Sequence, residues 1–235
     1  MRKLVVISGG TRGIGKAIAF RFAQSGTFDI VTCSRNKSNI EAFETDFKAA
    51  FPDVNCFVWE ADLEKKEAVA GFAEKIKNVG RKIDVLINNA GAFIPGALME
   101  EEEGTFEKLI SLNVAAAYHL SRALCENIKA SATHIFNICS TASITAYTNG
   151  GSYCISKYAL LGFSKVLREE MKPYYVKVSS VLPGATYTDS WSGASLPESR
   201  FIKAEDIAEI IFSAYNLSPA ACVEEILVRP VQGDI

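Results

Sequence analysis

Tyr153 and Lys157 stand four residues apart in Gly151 to Lys165, a stretch of helical period, so their side chains share one face of a helix. A phenol with a pKa near ~10 is a poor base at neutral pH, and an ammonium one helical turn away favours the phenolate. Lowering the phenol by ~2 to 3 units corresponds to about 3 to 4 kcal/mol of differential interaction. Such a pair can hand a proton to an oxygen held against it and take one back. The spacing alone is a weak signal, because amphipathic helices produce it by chance, so the surroundings must decide.

A second constellation lies near the start of the chain, in Ser8-Gly9-Gly10-Thr11-Arg12-Gly13-Ile14-Gly15. It follows an apolar strand-like run and opens a helical pattern. Glycines there let the backbone turn tightly and approach a pyrophosphate, while free N–H groups at the helix start stabilise its charge. The Gly-x-x-x-Gly-x-Gly spacing differs from the usual dinucleotide fingerprint, and a glycine-rich packing turn is the plainer reading. Strand before and helix after favour the dinucleotide.

Where NAD enzymes tend to place an acid at the end of the second strand, this sequence has Ser34 followed by Arg35. A guanidinium there, with Arg12 beside the glycine loop, suits a 2′-phosphate gripped by bidentate, charge-assisted hydrogen bonds, so NADP(H) is favoured over NAD(H). The plainer alternative is two solvated surface arginines.

The elements that must position these groups follow from periodicity. Short β-rich apolar runs at Leu4 to Ser8, Ile30 to Ser34, Cys56 to Trp59, Val85 to Ile87, Ile135 to Cys139, Val178 to Leu182 and Ile226 to Val228 alternate with helical stretches such as Ile14 to Gln24 and Ile40 to Ala50. That alternation predicts an α/β fold of Rossmann type, a doubly wound, seven-stranded parallel sheet covered on both faces. No linker, repeat or low-complexity tract divides residues 1–235, so one domain is expected to carry both dinucleotide binding and catalysis. The acidic run Glu100 to Glu103 reads as the solvated first turn of a helix, with no chemistry assigned.

Composition narrows the class. Hydrophobic residues at 49% and charged ones at 22% fit a packed enzyme rather than a disordered chain. A net charge of -2, with no Lys/Arg block, gives no field to draw a nucleic acid. No segment approaches membrane-spanning length and the apolar run at Leu4 to Ile7 is too short for a signal peptide, so a cytoplasmic location is expected. Cys33, Cys56, Cys125, Cys139, Cys154 and Cys222 form no C-x-x-C pair and read as reduced and structural. His119 and His134 have no metal-ligand spacing, so no metal site is expected.

Taken in order, the glycine loop, Asn88-Asn89-Ala90-Gly91, Asn113, Ser140, Tyr153, Lys157 and Pro183-Gly184 resemble the short-chain dehydrogenases/reductases over nearly the whole chain. The resemblance implies a catalytic tetrad of Asn113, Ser140, Tyr153 and Lys157. Ser140, thirteen residues before Tyr153, would hydrogen-bond the substrate oxygen. Lys157 would tune the tyrosine and reach the cofactor ribose, and Asn113 would hold a water linking Lys157 to solvent.

On the same basis the cofactor contacts would be Gly9, Thr11, Arg12, Gly13, Ile14, Gly15, Arg35, Asp62, Leu63, Asn89, Ala90, Gly91, Tyr153, Lys157, Pro183, Gly184, Thr186 and Thr188. Asp62 and Leu63 would lie at the adenine; Asp62 also suits an N-cap for a helix starting near Glu64. Asn89 to Gly91 would lie at the adenosine ribose, and Thr188 at the carboxamide. Ser8 and Thr186 depart from the family pattern, where threonine and a branched apolar residue are usual.

The implied activity is hydride transfer between NADP(H) and a carbonyl or alcohol, of carbonyl-reductase or 3-oxoacyl-reductase type. A non-catalytic NADP(H)-binding sensor or scaffold is the rival; such proteins typically lose the tyrosine or lysine, and both are present here. Isomerisation or dehydration with a held cofactor is a third reading.

Phe93, Ile94, Tyr147, Tyr187 and Trp191 fall in loops that the fold would gather into a mainly apolar substrate pocket. The covering segment Ser190 to Ile202 is short, which suggests an open site of modest specificity. Apolar residues on more than one face of Phe106 to Asn127 and Ser152 to Met171 suggest packing in a homodimer or homotetramer.

Overall fold

Leu4, Val5, Val6 and Ile7 are all fully buried, as expected of a central strand covered on both sides rather than one that alternates toward water. Val5 and Ile7 point into one apolar layer with Phe22, Phe43, Phe47 and Ile211, whereas Leu4 and Val6 point into the other with Phe72, Leu86 and Leu120. The computed structural model describes residues 2–188 and 196–234. Its seven strands are β1 Lys3–Ile7, β2 Phe28–Ser34, β3 Cys56–Glu60, β4 Val85–Asn88, β5 His134–Ile138, β6 Lys177–Pro183 and β7 Glu225–Val228. They form one parallel sheet in the order β3-β2-β1-β4-β5-β6-β7, with Val6 in register with Val31 on one side and Leu86 on the other.

The chain winds outward from β1 through β2 to β3, then crosses back to place β4 on the other flank of β1. Connections leaving the carboxyl ends of β1 and β4 therefore diverge, and a crevice opens between them. Helices α1 Gly13–Gln24, α2 Lys37–Ala50 and α8 Ala204–Tyr215 belong to the first layer; α3 Lys66–Asn78, α5 Ala116–Ala123 and α6 Cys125–Ser131 belong to the second. The remaining helices are α4 Thr105–Ile110 and the long α7 Gly151–Met171.

The continuous helix expected over Phe106 to Asn127 is broken twice. A π-helical turn occupies Ser111–Ala115, and Leu124 adopts φ -98° and ψ 7° between α5 and α6. The acidic run likewise does not form a first helical turn: α4 starts only at Thr105, and Gly104 precedes it with a left-handed φ of 86°.

Candidate active site

The crevice is a cleft of about 720 Å³ along the carboxyl ends of the strands. At its β1 end Gly9 and Gly13 hold positive φ values of 68° and 52°, which side chains rarely adopt. A Cβ on Gly15 would meet the Gly9 carbonyl at 2.5 Å and the Asn89 side-chain nitrogen at the same distance. Gly15 is thus a packing requirement of the turn and does not itself line the cleft.

Arg12 occupies the N-cap position of α1 in extended conformation without side-chain capping, and the positive end of the helix dipole lies at the cleft, where an anion is favoured. Thr11, Arg12, Gly13 and Ile14 face the cleft beside Gly9. This cradle fits a dinucleotide pyrophosphate: the backbone of Gly9 and Gly13, in conformations that disfavour side chains, lies at the positive end of α1.

Farther out, Arg35, Asp62 and Leu63 line the cleft past β2 and β3. Arg35 is half exposed and forms an ion pair with Glu64 at 2.7 Å, a partner not anticipated from sequence. Asp62 caps a turn rather than a helix, since its carboxylate accepts from Glu64 N at 3.4 Å and α3 begins only at Lys66.

Asn89, Ala90 and Gly91 follow β4. The Ser8 hydroxyl accepts N–H bonds from Asn89 and Ala90, both at 3.0 Å, and the Asn89 amide donates to the carbonyls of Ser8 and Gly9 at 3.1 and 2.8 Å. Serine in place of threonine at position 8 therefore keeps the hydroxyl that fastens β4 to the glycine loop.

In the middle of the cleft Ser140, Tyr153 and Lys157 come together. Ser140, two residues past β5, caps the short 3-10 turn Thr141–Ser143, and its hydroxyl lies against the Tyr153 phenol while accepting from Ala142 N at 3.1 Å. Burial pushes the phenol up to about 12, with the Ser140 hydrogen bond pulling the other way. The depression expected from Lys157 is not found: burial dominates, and Ser140, not Lys157, is the group that opposes it. Lys157 Nζ lies 5.8 Å from the Tyr153 ring centroid and donates to the Ile138 carbonyl at 2.9 Å. Burial pushes its ammonium down to about 8. A neutral phenol suits a proton donor, and a lysine near neutrality can pass a proton onward.

Asn113 does not line the cleft. It is buried in the π-helical turn, where its side chain accepts from Ala92 N at 2.8 Å and donates to Ala92 O at 3.0 Å and Ser156 Oγ at 2.9 Å. A Cβ on Gly91 would approach Asn113 Oδ1 at 3.1 Å and Lys157 Nζ at 3.6 Å, so Asn113 stands behind the part of the cleft wall that Gly91 and Lys157 line.

Pro183, Gly184, Thr186 and Thr188 line the β6 side. The Thr186 hydroxyl donates to Gly184 O at 3.0 Å, a bond that a branched apolar residue there would lack. A Cβ on Gly13 would meet Thr188 Cγ2 at 3.3 Å, which places this threonine across the cradle.

Phe93, Ile94 and Tyr147 line the substrate end, and the Phe93 ring packs edge-on to Tyr153 with centroids 4.8 Å apart. Tyr187 does not join them; it is 47% exposed and packs on Phe201, with centroids 5.8 Å apart. Trp191, with residues 190–195 of the expected Ser190 to Ile202 cover, lies outside the described residues.

One residue missed from sequence is Glu101, whose carboxylate accepts from Ser152 N at 2.8 Å and also from the Ser152 hydroxyl, capping α7 from a separate loop. Gly96 and Gly151 leave it room: a Cβ on Gly151 would fall 2.1 Å from Glu101 Oε1. The flanking glycines were its only signal.

Residues 3–198 match the short chain dehydrogenase family. This chain is a short-chain dehydrogenase. The short-chain dehydrogenase is 30% identical to a sepiapterin reductase of Chlorobaculum tepidum over 100% of this chain and 99% of that protein. It is likewise 30% identical to a 3-oxoacyl-(acyl-carrier-protein) reductase of Haemophilus influenzae, covering 89% and 88% of the two chains. An alcohol dehydrogenase from the archaeon Thermococcus sibiricus, solved with 5-hydroxy-NADP, superposes with a TM-score of 0.90 at 27% identity, covering 98% of this chain and 97% of that one. Family and fold agree with the resemblance read from the sequence, and the chain is accordingly an oxidoreductase. Among the described residues no helix is long and apolar enough to cross a membrane and no His/Cys/Asp/Glu cluster could hold a metal.

Proposed function

We propose that this oxidoreductase is an NADP(H)-dependent reductase of carbonyl compounds, or dehydrogenase of the matching alcohols, of carbonyl-reductase or 3-oxoacyl-reductase type. The observation that carries the reading is the placement of the Tyr153 phenol against Ser140 and one helical turn from Lys157, in the cleft that begins at the glycine cradle. Bound NADPH would supply hydride to the carbonyl carbon. Ser140 orients the carbonyl oxygen and stabilises the charge that gathers there, and Tyr153 protonates it. Lys157 and buried Asn113 then stand behind the phenol as the route by which its proton is restored.

Gly9, Thr11, Arg12, Gly13, Ile14 and Gly15 shape the pyrophosphate cradle, and Asn89, Ala90 and Gly91 leave room for the adenosine ribose. Asp62 and Leu63 would border the adenine. Pro183, Gly184, Thr186 and Thr188 would hold the carboxamide side. Arg12 and Arg35, both on the cleft wall, support the choice of NADP(H) over NAD(H) through the 2′-phosphate. The NADP-type ligand of the Thermococcus relative agrees with this choice.

Exposed Tyr118 on α5 and Ile155, Tyr158 and Val166 on α7 support assembly as a homodimer or homotetramer. The unpaired cysteines support a cytoplasmic setting.

The test is NADPH oxidation with generic diketones by the wild type and by Tyr153→Phe. Loss of roughly 100-fold or more in rate is expected from removing a positioned proton donor. Equal rates would defeat the reading.

A further inference from the structure

Arg35 faces the cleft with a carboxylate already on its guanidinium. Its Nη1 donates to Glu64 Oε1 at 2.7 Å, and Glu64 itself does not line the cleft. The Arg35 side chain is 58% exposed and the Glu64 side chain 24%, and the Glu64 backbone N–H is tied to Asp62 Oδ1 at 3.4 Å. The acid is thus the anchored member of the pair and the guanidinium the freer one. Two further cations follow β2 and β3, Lys37 and Lys65; they pair with Glu60 at 3.7 Å and Asp62 at 3.5 Å, and neither lines the cleft.

An ion pair this exposed adds little to stability, so Glu64 is a weak brace for Arg35. Its charge matters more to an incoming anion. A phosphate monoester is close to doubly charged at pH 7, and a carboxylate on the same guanidinium repels it. A ribose hydroxyl in the same place carries no charge to repel. Glu64 therefore weighs on NADP(H) and hardly on NAD(H).

We propose that Glu64 is a specificity-determining residue, which opposes the 2′-phosphate at Arg35 and holds the preference for NADP(H) below what Arg35 alone would give. A guanidinium has five N–H donors, so a phosphate can still be received beside the carboxylate; the opposition is electrostatic and not a blockade. The proposal rests on the reading of Arg35 as the group that grips the 2′-phosphate, and adds the group that limits that grip.

The experiment titrates the cofactor-free protein with NADPH and with NADH, following the fluorescence of the reduced nicotinamide, in wild type, Glu64→Gln and Arg35→Ala. No substrate is present, so turnover plays no part in the readout. Glu64→Gln keeps the size and an oxygen that can accept from Arg35, and removes only the charge. It is expected to tighten NADPH by roughly 5- to 10-fold and to change NADH by less than about 2-fold. Glu64→Ala, expected to shift the two cofactors in the same way, serves if the glutamine variant does not fold.

NADPH binding that is unchanged or weaker without the Glu64 charge would overturn the proposal, and so would an equal gain for NADH. Arg35→Ala separates this from the reading beneath it. If that variant leaves NADPH binding unaltered, Arg35 takes no part in recognising the 2′-phosphate, and the reading falls together with the proposal. If it weakens NADPH by about 10-fold, as expected, while Glu64→Gln brings no gain, the proposal falls alone.

Discussion

Replacing Lys157 by methionine tests how much the fold gives up to keep an ammonium buried. Lys157 is almost wholly enclosed, and burial brings its pKa from 10.5 to about 8. In the unfolded chain the lysine keeps its ordinary pKa, so between about pH 8 and 10.5 the unfolded state holds a proton that the folded state has lost. Stability rises with pH wherever the unfolded state binds more protons. At pH 7 the lysine therefore destabilises the fold by about 3 kcal/mol relative to its neutral form, at ~1.36 kcal/mol per unit. Most of that penalty disappears by pH 10.

Methionine has a similar length and no charge, so its fold carries no such pH dependence. The lost bond to Ile138 O shifts the methionine variant by an amount that is the same at both pH values. Urea unfolding of cofactor-free wild type and Lys157→Met at pH 7 and pH 10 isolates the effect. Wild type is expected to gain roughly 2 to 3 kcal/mol on the variant between the two. A gap that does not change with pH would refute the account of Lys157 as a buried, strained base.

Three further outcomes follow from the geometry. The reductive rate should stay level up to about pH 8 and fall above it as Lys157 loses its proton, while alcohol oxidation, which needs the phenolate, rises with pH; steady-state profiles in both directions check this. Glu101→Ala removes the cap on α7 and should cost about 1 to 2 kcal/mol, lowering Tm by roughly 2 to 8 °C in a thermal melt, with Glu101→Gln recovering part of it. Arg35→Ala should raise the KM for NADPH about 10-fold while changing that for NADH little; parallel changes for both cofactors would remove Arg35 from 2′-phosphate recognition.

Much of the frame was legible in the sequence because buried parallel strands leave unbroken apolar runs. Leu4 to Ser8 and Val178 to Leu182 fall within one or two residues of β1 and β6. The glycine loop was legible because its backbone needs forbid side chains, a constraint visible in composition.

Features set by partners distant along the chain were not legible. Nothing local at Ser111–Ala115 interrupts the helical pattern; Asn113's bonds to Ala92 and Ser156 accompany the π turn there. Glu101 sits in a run that reads as solvated, and only the fold brings Ser152 against it. Arg35 gave no hint of Glu64. The Tyr153 pKa was read from its neighbour alone, whereas desolvation, which depends on the finished fold, has the larger effect.

The stapling of the glycine turn by Ser8 and Asn89 bears on how a dinucleotide would enter. Four hydrogen bonds within the protein itself hold that turn in shape. Its loss of backbone freedom belongs to folding, and binding need not repeat it. A nucleotide thus meets a rigid socket, and mutations that loosen the staple should surface first as faster cofactor dissociation and only afterwards as weaker chemistry.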